Sequence, residues 1–383
     1  MLHNRHLLLQ NMENEGLDVI ISCKAENTIY FTDFHSVGSR TIKNRYTYVL
    51  YFREFKFEPM VLIPFMDRRH FCDITWIPEE NVLPFSEFAT GNESGLVVDK
   101  YGEIFRQVCE RGLEKGTIGI EMDFLPSHVV EKFRSVFPNA NIVDASPAIY
   151  KTRMIKTPEE IDKLRKACLI TEKGCLKIME MAARERTELE AACAGRAVCM
   201  EEGGETIGFT ALGAGDRSSM VHNNPRNEKI LNGQVVHFDF GSLYDGYWGD
   251  LARSYIFNRS PRPDQQKVYD AVLAAQNASL EAVKPGVTAG DVYDAGMKAG
   301  LSVDPAFRRE HIGHGVGLEI HEGPFIIKGN NTVIEPGMVI CIEAAKHVPE
   351  IGGFQVEDTL IVTERGHEVI DTLMPKTLRL DIS

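Results

Sequence analysis

The stretch that most constrains the fold is residues 235–254, which the sequence predicts as two apolar strands around a tight turn. Asp245-Gly246 predicts that turn, because a two-residue hairpin loop needs positive φ angles that this dipeptide adopts readily. With this loop, Asp239 faces Ala252 on the opposite strand, and Asp250 lies diagonal to Asp239 on the same face. The sequence therefore predicts two neighbouring carboxylates in a buried hairpin. Such a pair repels unless a cation or a proton lies between its members.

Length and composition exclude several classes of protein. The chain has 383 residues, enough for two domains, with 43% hydrophobic and 25% charged residues, as is usual for globular proteins. The net charge of −13, without a long block of one sign, argues against nucleic acid as a partner. We find neither an apolar run of the ~18 residues that cross a bilayer nor a secretory signal. The eight cysteines form no C-x-x-C pair, so we interpret them as free thiols of a cytoplasmic protein.

The first part of the chain predicts strands that alternate with helices, which is typical of an α/β layer. Predicted strands lie at residues 19–22, 59–64, 117–120 and 141–144, with β-rich pieces between 29 and 51 and helices near 101–113 and 126–136. No chemical motif occurs here, so we interpret this part as a folding or dimerising domain. Arg40 and Arg45 are candidates for contact with an anionic group, although surface arginines more often contact only water.

The second part begins after a boundary stretch at residues 145–156. Thr157 and Glu160 form the pattern of a capping box that starts a long helix, and Thr187 starts a second helix in the same way. Residues 207–226 are predicted to be rich in loops. Two later helices are predicted from about residue 264 and from residue 288, and the second of them is expected to stop at Gly300.

Three histidines occur close together in the glycine-rich stretch 311–324, namely His311, His314 and His321. A fourth, His222, precedes the strand of Asp239, and by itself it is most simply explained as a structural histidine.

Two further carboxylates interrupt apolar strands near the end of the chain. Glu343 lies in one such strand and Glu357 in the next. If the chain turns back near Glu350, these two side chains face each other across antiparallel strands and repeat the arrangement of the hairpin.

One such acid alone would more often pair with a basic residue than bind a metal. Several in the same unusual context predict a metal centre, since four ionised carboxylates balance the charge of two divalent cations. Oxygen ligands with one imidazole suit Mn²⁺, Co²⁺, Fe²⁺ or Zn²⁺. Two such ions ~3.5–4 Å apart activate a bridging water and polarise a carbonyl group. The candidate ligands are the four carboxylates Asp239, Asp250, Glu343 and Glu357 and one histidine of the glycine-rich stretch.

The order Asp, Asp, His, Glu, Glu, with these local sequences, resembles the pita-bread metallopeptidase family, which includes methionine aminopeptidase, aminopeptidase P, prolidase and creatinase. The resemblance is specific over residues 153–365, and before them it concerns only length and α/β character. It implies an α+β protein. A pita-bread catalytic domain with a curved antiparallel sheet, residues 153–383, would follow a smaller α/β domain, residues 1–152.

The resemblance also implies roles for the candidate residues. Asp239, Asp250, His314, Glu343 and Glu357 would hold two metal ions. Asp250 and Glu357 would bridge the pair, and Glu343 would take a proton from the bridging water as general base. His222 and His321 would line the substrate pocket and stabilise the intermediate or the leaving group. The N-terminal domain would help to form a homodimer.

The activity implied is hydrolysis of an amide bond by a metal-bridging hydroxide, as in Xaa-Pro aminopeptidases and Xaa-Pro dipeptidases. The chain departs from the pattern of proline-specific members at Ala252, Phe325, Ala344 and Gln355. An alternative is therefore a small non-peptide substrate on the same metal centre, as in creatinase, ectoine hydrolase or dimethylsulfoniopropionate lyase. A third hypothesis, a binding protein without catalysis, is disfavoured because the ligand set is intact.

Overall fold

The computed structural model describes residues 4–35, 38, 42, 46–54, 56–86 and 95–382. The chain divides into two compact units, Met1–Arg153 and Met154–Ser383. Arg40 and Arg45 lie outside the described residues. Within the described ranges, no helix combines the length and the apolar character needed to span a membrane.

The N-terminal unit contains a mixed six-stranded sheet and several helices, which confirms the predicted α/β layer. The strands are β1 Val19–Ser22, β2 Tyr48–Phe52, β3 Met60–Pro64, β4 Val82–Phe85, β5 Thr117–Ile120 and β6 Asn141–Asp144. The helices are α1 Arg5–Asn14, α2 Ala25–Thr32, α3 Arg68–Ile74, α4 Lys100–Cys109, α5 Ser127–Val136 and α6 Ser146–Met154. The strand order is β4-β3-β2-β1-β5-β6, with β1 antiparallel to β2 and parallel to β5.

The predicted β-rich stretch 29–51 is wrong at its start, because residues up to Thr32 belong to α2. The carboxylate of Glu121 lies at the N-terminus of this helix. It accepts hydrogen bonds from the backbone N–H groups of Cys23 at 2.6 Å and Lys24 at 2.8 Å, and another from the Asn27 side chain. A carboxylate at this end stabilises a helix, so a long-range contact overrides the local β propensity.

The C-terminal unit contains two sheets, each backed by a pair of helices. The strands are β7 Thr206–Ala214, β8 Val235–Tyr244, β9 Tyr247–Phe257, β10 His311–Gly315, β11 Glu322–Ile327, β12 Val339–Val348, β13 Gly352–Thr363, β14 Gly366–Val369 and β15 Arg379–Leu380. The helices are α7 Pro158–Ala183, α8 Glu188–Glu201, α9 Pro263–Ala282 and α10 Ala289–Val303.

The strand orders are β15-β9-β8-β7 and β11-β10-β12-β13-β14. Pairing is antiparallel throughout these two sheets except between β15 and β9. Helix α7 packs on β8 and β9, helix α9 packs on β12 and β13, and β9 lies beside β13 where the two sheets meet. This is the pita-bread fold that the sequence predicts.

The helix starts in this unit follow the sequence closely. The Thr157 and Thr187 capping boxes both form, each with the glutamate three residues later. The buried face of α7 then packs Cys175 and Ile178 against Phe238 of β8 in one apolar core. The caps set where each helix begins, and burial of its apolar face supplies most of its stability.

Two predictions based on glycine are wrong in this unit. Residues 206–214 form strand β7 instead of loop, and Gly208 makes room in it for the ring of Trp248, which a Cβ atom would overlap. Helix α10 continues past Gly300 to Val303, and Gly300 packs against the ring of Phe307, which a side chain at this position would meet. Both glycines serve close packing, which local sequence does not distinguish from chain flexibility.

Candidate metal centre

The hairpin of β8 and β9 has the predicted register. Asp245 and Gly246 adopt φ angles of 49° and 85°, as a two-residue loop requires. Asp239 pairs with Ala252, and Asp250 pairs with Gly241, so the two carboxylates lie on one face as neighbours.

The second pair of carboxylates is also confirmed in its predicted position. Glu343 on β12 pairs directly with Glu357 on β13, and Glu350, with a φ of 69°, lies in the turn between the strands. Strand β10 lies on the other side of β12 and places His314 opposite Cys341.

These strands bring all the predicted ligands together. His314 Nε2 lies 3.8 Å from Asp250 Oδ2 and 3.7 Å from Glu343 Oε1. The Gln355 side-chain amide joins Asp239 to the group, since its Nε2 donates to Glu343 Oε2 at 3.2 Å and to Asp239 Oδ2 at 3.5 Å. Ligand atoms of Asp250, His314, Glu357 and also Cys341 lie within 4.8 Å of one another.

The cluster contains buried polar atoms of the kind that bind cations. Asp239 Oδ1, His314 Nε2 and Glu357 Oε1 have no hydrogen-bond partner among the described residues. Buried polar atoms nearly always form hydrogen bonds, so three such atoms without a partner in one cluster need an explanation. The His314 Nδ1–H group donates to the Gly315 carbonyl at 3.1 Å, which leaves a lone pair on Nε2. The donor set therefore fits divalent metal ions.

The electrostatics also fit cations. Burial, and then the charge of Glu343, raises the pKa of Asp239 to about 7. Burial and neighbouring carboxylates raise the pKa values of Asp250 and Glu357 well above the ordinary range. Burial lowers the pKa of His314 to about 4, which keeps its imidazole neutral, as a metal ligand must be. Excess negative charge is concentrated here without enough positive charge to balance it.

Glu343 differs from the other acids. Burial alone would raise its pKa, but a 2.7 Å hydrogen bond from His311 Nε2 and the charge of Arg309 lower it to about 2. Arg309 Nη2 donates to Glu343 Oε2 at 3.1 Å. Arg309 was not among the predicted site residues, and His311 had no predicted role. Their only sequence signal is their position at the start of the glycine-rich stretch 311–324, where His311 is the first residue and Arg309 precedes it.

A buried ion pair contacts the strand that carries Glu357. Arg253 and Asp358 are fully buried and lie 2.7 Å apart, and Arg253 Nη1 also donates to the Glu357 carbonyl. Gln276 Nε2 and Lys376 Nζ contact the other Asp358 oxygen at 2.8 Å and 2.7 Å. These contacts hold Glu357 in position on β13.

The two predicted pocket histidines differ in how closely they approach the ligands. His321 is exposed, and its ring centroid lies 3.8 Å from that of His314. His222 is exposed in the loop after β7. Partial desolvation of the His321 ring lowers its pKa, the charge of Glu343 opposes this, and the charges of His311 and His222 lower the pKa further.

The four departures from the proline-specific pattern have different surroundings. Ala252 and Ala344 are completely buried in strands, where a larger side chain would have to displace neighbours. Phe325 is 45% exposed on β11. Gln355 lies inside the centre, and its Oε1 accepts a 3.0 Å hydrogen bond from His237 Nε2.

A pita-bread fold that collects buried carboxylates and a neutral histidine on facing strands is the architecture of a metallopeptidase. The comparisons agree: the sequence matches the model of metallopeptidase family M24 over residues 162–364 and the creatinase/prolidase N-terminal domain over residues 5–155. The chain belongs to metallopeptidase family M24.

Its relatives include peptidases that match along nearly the whole chain. It is 30% identical to an Xaa-Pro dipeptidase of Pyrococcus furiosus over 362 residues, which cover 94% of each chain. Among solved structures, the prolidase from Pyrococcus furiosus has a TM-score of 0.79 and 28% identity, with 96% of this chain and 100% of that chain covered. The Xaa-Pro dipeptidase from Bacillus anthracis has a TM-score of 0.83 and 25% identity, with 98% and 99% covered.

Proposed function

We propose that this enzyme is an Xaa-Pro dipeptidase with a dinuclear metal centre. The observation that carries the proposal is the convergence of five predicted ligands, three of which have a buried ligand atom without a partner among the described residues. The full-length similarity to a protein named Xaa-Pro dipeptidase supports the choice of substrate. The proposed ligands are Asp239, Asp250, His314, Glu343 and Glu357.

Two divalent cations, of the Mn²⁺, Co²⁺, Zn²⁺ or Fe²⁺ type, would supply Lewis acidity and lower the pKa of water between them. Asp250 and Glu357, whose pKa values are raised well above the ordinary range, would hold the ions and give up their protons on binding. Asp239 would hold one ion from the hairpin, and His314 the other from β10.

Glu343 is proposed as the general base. Its low pKa keeps it ionised, and the hydrogen bonds from His311 and Arg309 orient its carboxylate. A positioned base of this kind contributes about 10²–10⁴-fold to the rate. Glu343 would accept the proton of the attacking water and pass it towards the departing nitrogen of proline.

His321 and His222 are proposed to act on the substrate. His321 lies beside His314, where an N–H group would donate to the carbonyl oxygen as that atom becomes negative. His222, on its exposed loop, would face the leaving-group side. The buried Glu188 carboxylate shapes this loop, because it accepts hydrogen bonds from the Arg217 side chain and the Arg226 backbone, both at 3.0 Å.

The substrate is tested with chelator-treated enzyme reloaded with Mn²⁺ or Co²⁺. The panel contains an Xaa-Pro dipeptide, a longer Xaa-Pro peptide, creatine and ectoine. We expect metal-dependent hydrolysis of the dipeptide, with Glu343→Gln as the matched inactive control. Hydrolysis of creatine or ectoine alone would establish the non-peptide alternative. Preference for the longer peptide would assign an aminopeptidase, and absence of turnover in every metal form would indicate a binding protein.

A homodimer is part of the same proposal. It rests on the resemblance of the N-terminal unit to the creatinase/prolidase domain. Light scattering of the purified protein tests it, and a monomeric mass at working concentration would overturn it.

A further inference from the structure

Cys341 is a thiol next to the metal centre that the proposed reaction does not use. It lies two residues before Glu343 on β12, so both side chains project from the same face of the strand. Strand pairing places it between His314 on one side and Thr359 on the other. Its Sγ atom lies 3.5 Å from Thr359 Oγ1, the distance of a hydrogen bond to sulfur, and a thiol is only a weak donor and acceptor.

The surroundings of this thiol have the composition of a metal site. Cys341 Sγ and the ligand atoms of Asp250, His314 and Glu357 all lie within 4.8 Å of one another. The four residues are almost completely buried, at 0%, 3%, 1% and 1% exposure respectively. His314 Nε2 and Glu357 Oε1 are without partners among the described residues, and both belong to this group of four. Two buried atoms without a hydrogen-bond partner, neither of them from the cysteine, therefore point to a ligand within this group of four residues.

The chemistry of this set differs from that of the five predicted ligands. Asp239 and Glu343 contribute only oxygen, which suits harder ions such as Mn²⁺. Sulfur, imidazole nitrogen and two carboxylates make a mixed set that suits thiophilic ions, which accept a tetrahedral arrangement of such ligands. The same pocket thus offers two overlapping ligand sets, which share Asp250, His314 and Glu357 and differ in whether sulfur takes part.

We propose that Cys341 gives the metal centre a thiolate-containing site, formed with Asp250, His314 and Glu357, that binds thiophilic divalent ions such as Zn²⁺ and Cd²⁺. On binding, the S–H bond breaks, the proton leaves to solvent and a sulfur–metal bond forms. A hard ion such as Mn²⁺ leaves the thiol protonated. The inference rests on the proposed function, because three of the four residues are also proposed ligands of the catalytic ions.

The test titrates chelator-treated protein separately with Cd²⁺ and Mn²⁺. Sulfur-to-cadmium charge-transfer absorption in the ultraviolet reports the bond to sulfur. Calorimetry in buffers of different ionisation enthalpy counts the protons released. Cys341→Ser keeps the size and a hydroxyl group, and Cys341→Ala serves if the serine variant does not fold. Cys193→Ser is the matched control, because Cys193 is an exposed thiol that does not belong to this group of four.

We expect the charge-transfer band in the parent protein and in Cys193→Ser, and its loss in Cys341→Ser. The serine variant should release one proton fewer per Cd²⁺ and bind Cd²⁺ about 10–100-fold more weakly, with Mn²⁺ affinity changed by less than about threefold. A band that survives in Cys341→Ser, or equal loss of Mn²⁺ and Cd²⁺ affinity, overturns the inference. Failure of the proposed function is distinguishable, since the parent protein would then bind no Mn²⁺ at this cluster.

Discussion

Replacing Asp239 by asparagine should have opposite effects on stability with and without metal. The pKa of Asp239 is raised from 3.8 to about 7, first by burial and then by the charge of Glu343. In the unfolded chain this carboxyl ionises near its ordinary value. Between the two pKa values the folded protein binds more protons than the unfolded chain, so the metal-free enzyme loses stability as pH rises.

The size of the effect follows from the shift. About 3 pKa units at about 1.36 kcal/mol each give about 4 kcal/mol, present below about pH 4 and lost once pH exceeds about 7. Asparagine carries no charge and escapes this loss. Metal-free Asp239→Asn should therefore gain up to about 4 kcal/mol relative to the parent protein as pH rises from about 4 to about 8.

With Mn²⁺ present the sign should reverse, because asparagine is the poorer ligand. Each tenfold loss of metal affinity removes about 1.4 kcal/mol of metal-dependent stabilisation. The assay is urea denaturation at several pH values, with and without Mn²⁺. The control is Asp270→Asn, since Asp270 is exposed on α9, away from the centre.

Two results would refute the reasoning. The first is a pair of metal-free stability curves, for the parent protein and Asp239→Asn, that run parallel from about pH 4 to about 8. Such curves would show that the pKa of Asp239 is not raised in the folded protein. An unchanged Mn²⁺ content in the variant would contradict the ligand assignment.

Three further substitutions test other parts of the site. Glu343→Gln should fold normally but lower kcat of the metal-loaded enzyme by about 10²–10⁴-fold, and a near-full rate would exclude it as the base. His321→Ala should lower kcat with unchanged metal content by elemental analysis, and metal loss would make His321 a ligand instead. Arg253→Met leaves the fully buried Asp358 with less positive charge and should cost about 3–5 kcal/mol in urea denaturation. A cost below about 1 kcal/mol would contradict a supporting role for that pair.

The placement of the acidic residues could be predicted because short loops set strand register. Once Asp245 and Gly246 close a two-residue loop, the face of every side chain on β8 and β9 follows. The turn near Glu350 does the same for Glu343 and Glu357. Local sequence patterns therefore predict which side chains face each other wherever the paired strands are neighbours in sequence.

The residues that the sequence analysis missed depend on pairing between distant segments. Cys341 joins the centre only because β10 pairs with β12 and brings His314 opposite it. Strand β10 also changes register against β11 between His311 and Gly313, which no sequence pattern predicts. Arg309 reaches Glu343 from the segment before this irregular strand.

The role of a glycine also depends on tertiary packing, which local sequence does not predict. Gly208 lies inside strand β7, at a register shift against β8, and makes room there for the Trp248 ring. Helix α2 likewise depends on Glu121, which lies far along the chain. Both features are set by tertiary packing, which overrides local propensity.

The most direct measurement of the central claim is the position of bound metal in crystals of the Mn²⁺-loaded enzyme, located by anomalous scattering. The account predicts two manganese peaks, both within bonding distance of carboxylate or imidazole atoms from the set Asp239, Asp250, His314, Glu343 and Glu357. Crystals with no peak among these side chains, or with manganese bound only elsewhere on the chain, would contradict it.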